Sequence, residues 1–169
     1  TYKLTPGHYV IINTKGEIKS HKYWGIDSIK RNSWLGTFEE AAIKLEELLT
    51  NAFEYRLISD VPVGVFLSGG IDSSLVSAIL KKKLNADVLN ITIGFNEDKF
   101  NETPKAKQVS EQLGIRHITH NVNAKEAQET LFKFTNIYDE PFGDTSGIPT
   151  YILSKLARQH VKVALSADG

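Results

Sequence analysis

The chain has 169 residues, enough for one domain with a core, and its 20 basic and 20 acidic side chains cancel, which argues against a nucleic-acid surface. No apolar run is long enough to cross a bilayer, so no membrane is expected, and Thr1 to Leu4 is not a basic region leading into an apolar one as in a signal peptide. With no cysteine, disulfides, thiolate zinc sites and a cysteine nucleophile are excluded within the chain, and a soluble cytoplasmic domain is the expectation.

In chain order, Gly7 to Asn13 reads as a strand, Thr14-Lys15-Gly16 as a turn, and Ile18 to Trp24 as a return strand. Gly25 to Gly36 is a polar connection with Ile26, Ile29, Trp34 and Leu35 as isolated apolar anchors. Residues 1–36 are therefore set apart from residues 37–169. Thr37-Phe38-Glu39-Glu40 is a capping box, and Ala41, Leu45, Leu48, Leu49, Ala52 and Phe53 give the following helix one apolar face, ending near Arg56 or Leu57. Val63, Val65, Phe66 and Leu67 suit a strand buried on both faces. Behind a Ser-Gly-Gly turn, Ser73 and Ser74 are placed to cap a helix that runs to about Lys83.

The pattern then alternates. Val88 to Ile93 reads as a strand, followed by a helix with Thr103 as its cap, Pro104 at its first position and Gly114 as its stop. Arg116 to Val122 is a strand flanked by His117 and His120. Asn123 and Glu126 form a capping pair for a helix to about Tyr138. Asp139 to Gly147 is an acidic loop, Pro149 to Gln159 a helix, and Val161 to Leu165 a last strand. The alternation predicts an α/β fold: a parallel sheet with helices on both faces, preceded by a short β-hairpin.

Ligands of open α/β sheets bind beyond the carboxyl ends of the strands. The first and last of those positions carry Ser68-Gly69-Gly70-Ile71-Asp72-Ser73 and Ser166-Ala167-Asp168-Gly169. Glycine lets the backbone turn tightly or approach a ligand, and a helix N-terminus supplies free N–H groups and a favourable dipole. Hydroxyls and N–H groups suit a phosphate, with carboxylates left for magnesium. Neither a Walker loop nor a Gly-x-Gly-x-x-Gly fingerprint is present. The plainer alternative, a turn that needs glycine only for its shape, leaves Asp72 and the serines at the helix start without a reason.

The Ser-Gly-Gly-Ile-Asp-Ser string resembles the pyrophosphate loop of the ATP pyrophosphatases, whose sheet is Rossmann-like and of the adenine-nucleotide α-hydrolase type. Ser59 to Ser74, Asp139-Glu140-Pro141-Phe142-Gly143-Asp144 and Leu165 to Gly169 together resemble the synthetase domain of glutamine-dependent asparagine synthetases, in that family's order. Gly7-His8-Tyr9 and Tyr23-Trp24 are similar to the link from its glutaminase domain. The resemblance implies an ATP- and magnesium-dependent ligase: aspartate is adenylated with release of pyrophosphate, and ammonia from glutamine displaces AMP. It implies that Ser68, Gly69, Gly70, Ser73 and Ser74 hold pyrophosphate and that Asp72 binds magnesium. It also implies that Leu67 and Ile93 flank the adenosine, that backbone groups read its base, and that Ser166 and Ala167 close over the nucleotide. Asp168 falls where the family has an acidic residue tied to acyl-adenylate formation. The implied partners are ATP, aspartate, ammonia and an N-terminal glutaminase domain of the same protein, with a homodimer left open.

Ala167 replaces a glycine of the family's closing motif; were its φ positive, the added Cβ would cost roughly 1 kcal/mol or more. The absence of methionine and the ending at Gly169, before the family's second magnesium-binding aspartate and its lysine, lead us to expect a middle fragment that makes no asparagine by itself. Asn101-Glu102 is similar to an acidic pair of the family but also suits a solvated helix start. Two alternatives stay open: an amidotransferase acting on another carboxylate, such as a sugar acid or a peptide, and a non-catalytic nucleotide-binding domain.

Overall fold

A computed structural model of the chain describes residues 3–28, 34–97, 101–139 and 143–167. The chain divides into two compact units, Thr1–Ala41 and Ala42–Gly169.

The first unit holds an antiparallel hairpin of β1 (His8–Ile12) and β2 (Ile18–Lys22), with His8 opposite Lys22 and Ile12 opposite Ile18. Its turn is made by Asn13, whose Oδ1 accepts from the N–H groups of Lys15 and Glu17 at 2.9 and 3.0 Å, and by Gly16 at φ 80°. The expected anchors Ile26, Trp34 and Leu35 are exposed rather than packed; Trp34 donates its Nε1–H to the Thr37 carbonyl at 3.0 Å. Ile29 lies outside the described residues. The capping box forms in both directions: Thr37 N–H donates to Glu40 Oε2 at 2.8 Å, and Glu40 N–H to Thr37 Oγ1 at 3.2 Å.

Helix α1 (Phe38–Arg56) ends where the sequence places it. Its apolar face is only partly used. Leu45 and Leu48 are more than half exposed, while Phe53, and Leu57 just beyond the helix, pack on the core. The helix reaches the core only with its last turns.

The second unit carries β3 (Val63–Phe66), α2 (Ile71–Lys82), β4 (Leu89–Phe95), α3 (Thr103–Leu113) and β5 (Arg116–Val122). It continues through α4 (Ala124–Leu131), α5 (Phe134–Ile137), α6 (Gly147–Ala157) and β6 (Val163–Leu165). The four strands are all parallel, in the order β5-β4-β3-β6. From β3 the chain steps outward to β4 and β5, then returns to β6 on the other side of β3. The topological switch point thus lies beside β3, where open sheets of this kind form a crevice. One apolar cluster (Val65, Val76, Leu80, Val88, Ile115) lies on the side of α2, and a second (Leu89, Ile91, Ala157, Val161) on the side of α6.

Several boundaries differ from the expectation, each for a local reason. β4 runs past Ile93 because Gly94 and Phe95 still pair with Asn121 and Val122 of β5. β6 starts at Val163, the residue opposite the first residue of β3. His117 and His120 lie inside β5 rather than flanking it. The helix after Asn123 is capped as expected, with Glu126 N–H on Asn123 Oδ1 at 2.9 Å, but it breaks after Leu131, where Lys133 N–H bonds to the Thr130 carbonyl. α6 begins at Gly147, before Pro149. Thr103 is not the cap of α3: it is already helical, Glu102 is the cap residue, and Pro104 follows in the first turn. Asn101 Oδ1 instead accepts from Thr103 N–H at 3.1 Å. Gly114 stops the helix at φ 63° as predicted.

Candidate functional site

The loop after β3 is fixed by two hydroxyls. Ser68 Oγ accepts from Gly70 N–H at 3.2 Å and shares a hydrogen bond with Ser73 Oγ at 2.9 Å, which also accepts from Ser68 N–H at 3.2 Å. Ser73 is buried, so these bonds hold the loop against the first turn of α2. The expected capping by Ser73 and Ser74 does not occur. Helix α2 starts at Ile71, its cap residue is the extended Gly70, and no side chain caps it. The serines lie one turn too deep to reach the free N–H groups, which are left open for an anion.

The two glycines differ. Gly69 has φ 78°, and a Cβ there would lie 2.7 Å from both Ala106 N and Lys105 Cβ, so its bareness lets the loop back onto the start of α3. Gly70 has an ordinary φ of −71°, and a Cβ would meet only Ser68 Oγ, at 3.3 Å. The shape of the loop therefore demands glycine at position 69 alone.

A cleft of about 500 Å³ opens at the carboxyl ends of β3, β4 and β6. Leu67, Ser68, Gly70, Asp72 and Ser73 line one wall. Ile93 faces it from β4, and Ser166 and Ala167 from the segment after β6. Three stretches far apart in the chain thus meet in one crevice. Gly69 shapes the loop without lining the cleft; Ser74 also stands outside the lining, its N–H donating to the Gly70 carbonyl at 3.1 Å. Asp168, and Glu140 to Phe142 of the acidic loop, lie outside the described residues. Among the described non-glycine residues only Asn85 has a positive φ, so the conditional penalty for Ala167 does not arise; Ala167 packs against the apolar cluster on the α2 side of the sheet.

Among the described residues, Asp72 in the first turn of α2 and Glu102 at the start of α3 are the carboxylates that line the cleft. No group of three or more His, Cys, Asp or Glu could hold a metal among the described residues. One or two carboxylates beside the uncapped start of a helix would suit magnesium that arrives with a phosphate ligand and keeps several waters, rather than a metal caged by protein. Asp144 does not line the cleft; its Oδ1 accepts from Ser146 N–H at 2.8 Å, a bond that lowers its pKa and closes a local turn.

The sequence reading missed a polar stripe on β4. Leu89, Ile91, Ile93 and Phe95 alternate with Asn90, Thr92 and Gly94. Buried Asn90 accepts from Ser77 of α2 at 3.1 Å and donates to Ser110 of α3 at 3.0 Å. Buried Thr92, which lines the cleft, donates its hydroxyl to the Leu67 carbonyl at 2.5 Å and meets His117 Nε2 at 2.8 Å. Burial lowers the pKa of His117, with Glu111 opposing and Lys107 reinforcing the shift. The period-two alternation was the available signal: polar residues on one face of a central strand need buried partners.

Comparison with known proteins agrees with this geometry. The family model for asparagine synthase matches residues 44–169, which takes in most of α1 and the whole parallel sheet. A candidate glutamine-hydrolysing asparagine synthetase of Methanocaldococcus jannaschii is 38% identical over 100% of this chain and 32% of its own length. Glutamine-hydrolysing asparagine synthetase 1 of Bacillus subtilis is 33% identical over 99% of this chain and 26% of its own length. The chain thus spans a third or less of these relatives. The solved NMN synthetase from Francisella tularensis shares the fold, with a TM-score of 0.50 at 18% identity over 79% of this chain and 56% of its own. A four-stranded parallel sheet with a serine-glycine loop at its switch point, matched by the family across the whole sheet, makes this chain a member of the asparagine synthase family.

Proposed function

We propose that this chain forms the nucleotide-binding part of an ATP-dependent, amide-forming synthetase whose acceptor is aspartate. The observation that carries the reading is the loop 68–70 leading into the uncapped N-terminus of α2, at the mouth of the cleft. Residues 37–169 belong to the synthetase domain, and residues 1–36 are the end of a glutaminase domain that supplies ammonia from glutamine.

In this reading the β-carboxylate of aspartate attacks the α-phosphorus of ATP, the bond to the β-phosphate breaks, and pyrophosphate leaves. Such a transfer needs positioning and charge stabilisation more than proton chemistry. The hydroxyls of Ser68 and Ser73, the backbone at Gly69 and Gly70, and the first turn of α2 receive the departing anion. Leu67 and Ile93 flank the adenosine, and Ser166 and Ala167 cover it. Asp72 holds magnesium, which adds neutralising charge to the phosphates. Asp168 assists formation of the aspartyl-adenylate, and ammonia then displaces AMP.

The test is isotope exchange between pyrophosphate and ATP in the complete protein. We expect exchange that depends on aspartate. Exchange only with a different carboxylic acid would move the acceptor assignment, and ATP binding with no exchange under any acid would refute the enzyme reading.

A further inference from the structure

The β3–β4 ladder stops one bond short at the cleft, and Thr92 stands where it stops. In a parallel ladder a residue's N–H and C=O face one neighbouring strand, and those of the next residue face the other. Leu67 N–H donates to the Ile91 carbonyl at 3.0 Å, so Ile91 and Ile93 turn their backbone groups toward β3. The next bond of a regular ladder would run from Ile93 N–H to the Leu67 carbonyl. Among the described residues that bond does not form; the Leu67 carbonyl accepts the Thr92 hydroxyl instead. With its proton committed there, the Thr92 oxygen accepts from His117 Nε2–H, which fixes the rotor from the far side.

We propose that Thr92 is a positioning residue for base recognition: by occupying the Leu67 carbonyl it keeps the ladder from closing and leaves the Ile93 N–H and C=O facing the cleft. This rests on the adenosine-site reading above, and it divides the labour there. The Leu67 N–H is committed to the Ile91 carbonyl and its own carbonyl already holds the Thr92 hydroxyl, so Leu67 has no donor left for the base, and Ile93 supplies the adjacent donor and acceptor. An adjacent N–H and C=O match the edge of adenine, which accepts at N1 and donates from its 6-amino group. They mismatch hypoxanthine, which donates at N1 and accepts at O6. Removing the hydroxyl lets Ile93 N–H pair with Leu67 and withdraws the donor from the site.

The experiment uses the complete protein and compares wild type with Thr92→Val, which keeps the branched shape, and Thr92→Ser, which keeps the hydroxyl. Dissociation constants are measured for ATP, ITP and inorganic tripolyphosphate, with a melting curve for each protein. We expect Thr92→Val to weaken ATP about tenfold, the loss of roughly one polar contact, and to flatten the preference for ATP over ITP. Tripolyphosphate affinity should not move, and Thr92→Ser should stay near wild type. A merely structural role would weaken all three ligands together. An unchanged ATP-to-ITP ratio in Thr92→Val, or an equal loss in Thr92→Ser, would overturn this inference while leaving the site reading intact. Failure of the wild type to bind ATP would overturn both.

Discussion

Replacing Gly69 by alanine should damage the loop far more than the same change at Gly70. At φ 78° an L-residue pays about 1–2 kcal/mol for the left-handed conformation. The new Cβ would also sit 2.7 Å from Ala106 N and from Lys105 Cβ, and 3.0 Å from Lys105 C. Two of these three atoms are backbone, so no rotamer change relieves the contact, and either the loop or the start of α3 must shift. Overpacking of this kind costs about 1–3 kcal/mol more. The sum is about 2–5 kcal/mol, which at roughly 2–4 °C per kcal/mol corresponds to a fall of about 4–20 °C in melting temperature for a domain of this size. Gly70→Ala needs only that Ser68 Oγ give way from 3.3 Å, so its stability should change by less than about 1 kcal/mol, while the Cβ it adds borders the cleft and weakens phosphate binding. Differential scanning fluorimetry of both variants in the complete protein, paired with ATP titration, reads the two effects separately. Equal destabilisation by the two substitutions would show that the close approach of the loop to α3 is not what position 69 serves.

Three further outcomes follow from the same structure. Asp72→Asn should weaken magnesium-ATP binding at least tenfold in calorimetry, with a stability change below about 1 kcal/mol because the carboxylate is exposed at a helix start; unchanged affinity would remove Asp72 from the metal role. Asn90→Leu should cost about 2–3 kcal/mol in urea unfolding, since it strands the buried hydroxyls of Ser77 and Ser110; a loss under about 0.5 kcal/mol would show that the network carries no stability. Burial holds the pKa of His117 below that of the unfolded chain, so the unfolded state binds the extra proton first. Its contribution to stability is complete above about pH 6.5 and is lost as pH falls through the lower folded pKa; His117→Gln should flatten stability measured by urea titration across that window.

Much of the fold was legible because its signals are local. The Thr37–Glu40 box, the Asn123–Glu126 cap and the Gly114 stop are contacts within one turn, and each forms as its spacing predicts. The strands of the sheet were found from short apolar runs, and their ends shifted where a partner strand decided the length, as at Phe95 and Val163. The reading failed where a residue's task depended on distant neighbours. Ser73 looks like a cap by position, yet it bonds to Ser68 across the loop. Leu45 and Leu48 belong to a regular helical stripe, but periodicity does not say what covers it.

For the site, the residue types alone indicated the chemistry. A serine-glycine loop entering a helix suits an anion through its own N–H and hydroxyl groups, whatever the rest of the chain does. The assembly of the cleft was a tertiary outcome. Strand order β5-β4-β3-β6 brings Ser166 and Ala167 to the loop more than ninety positions earlier in the chain, and it sets Thr92 against the Leu67 carbonyl. Linear spacing carries no record of strand order, because parallel neighbours are joined by crossovers whose length does not fix which edge the next strand takes.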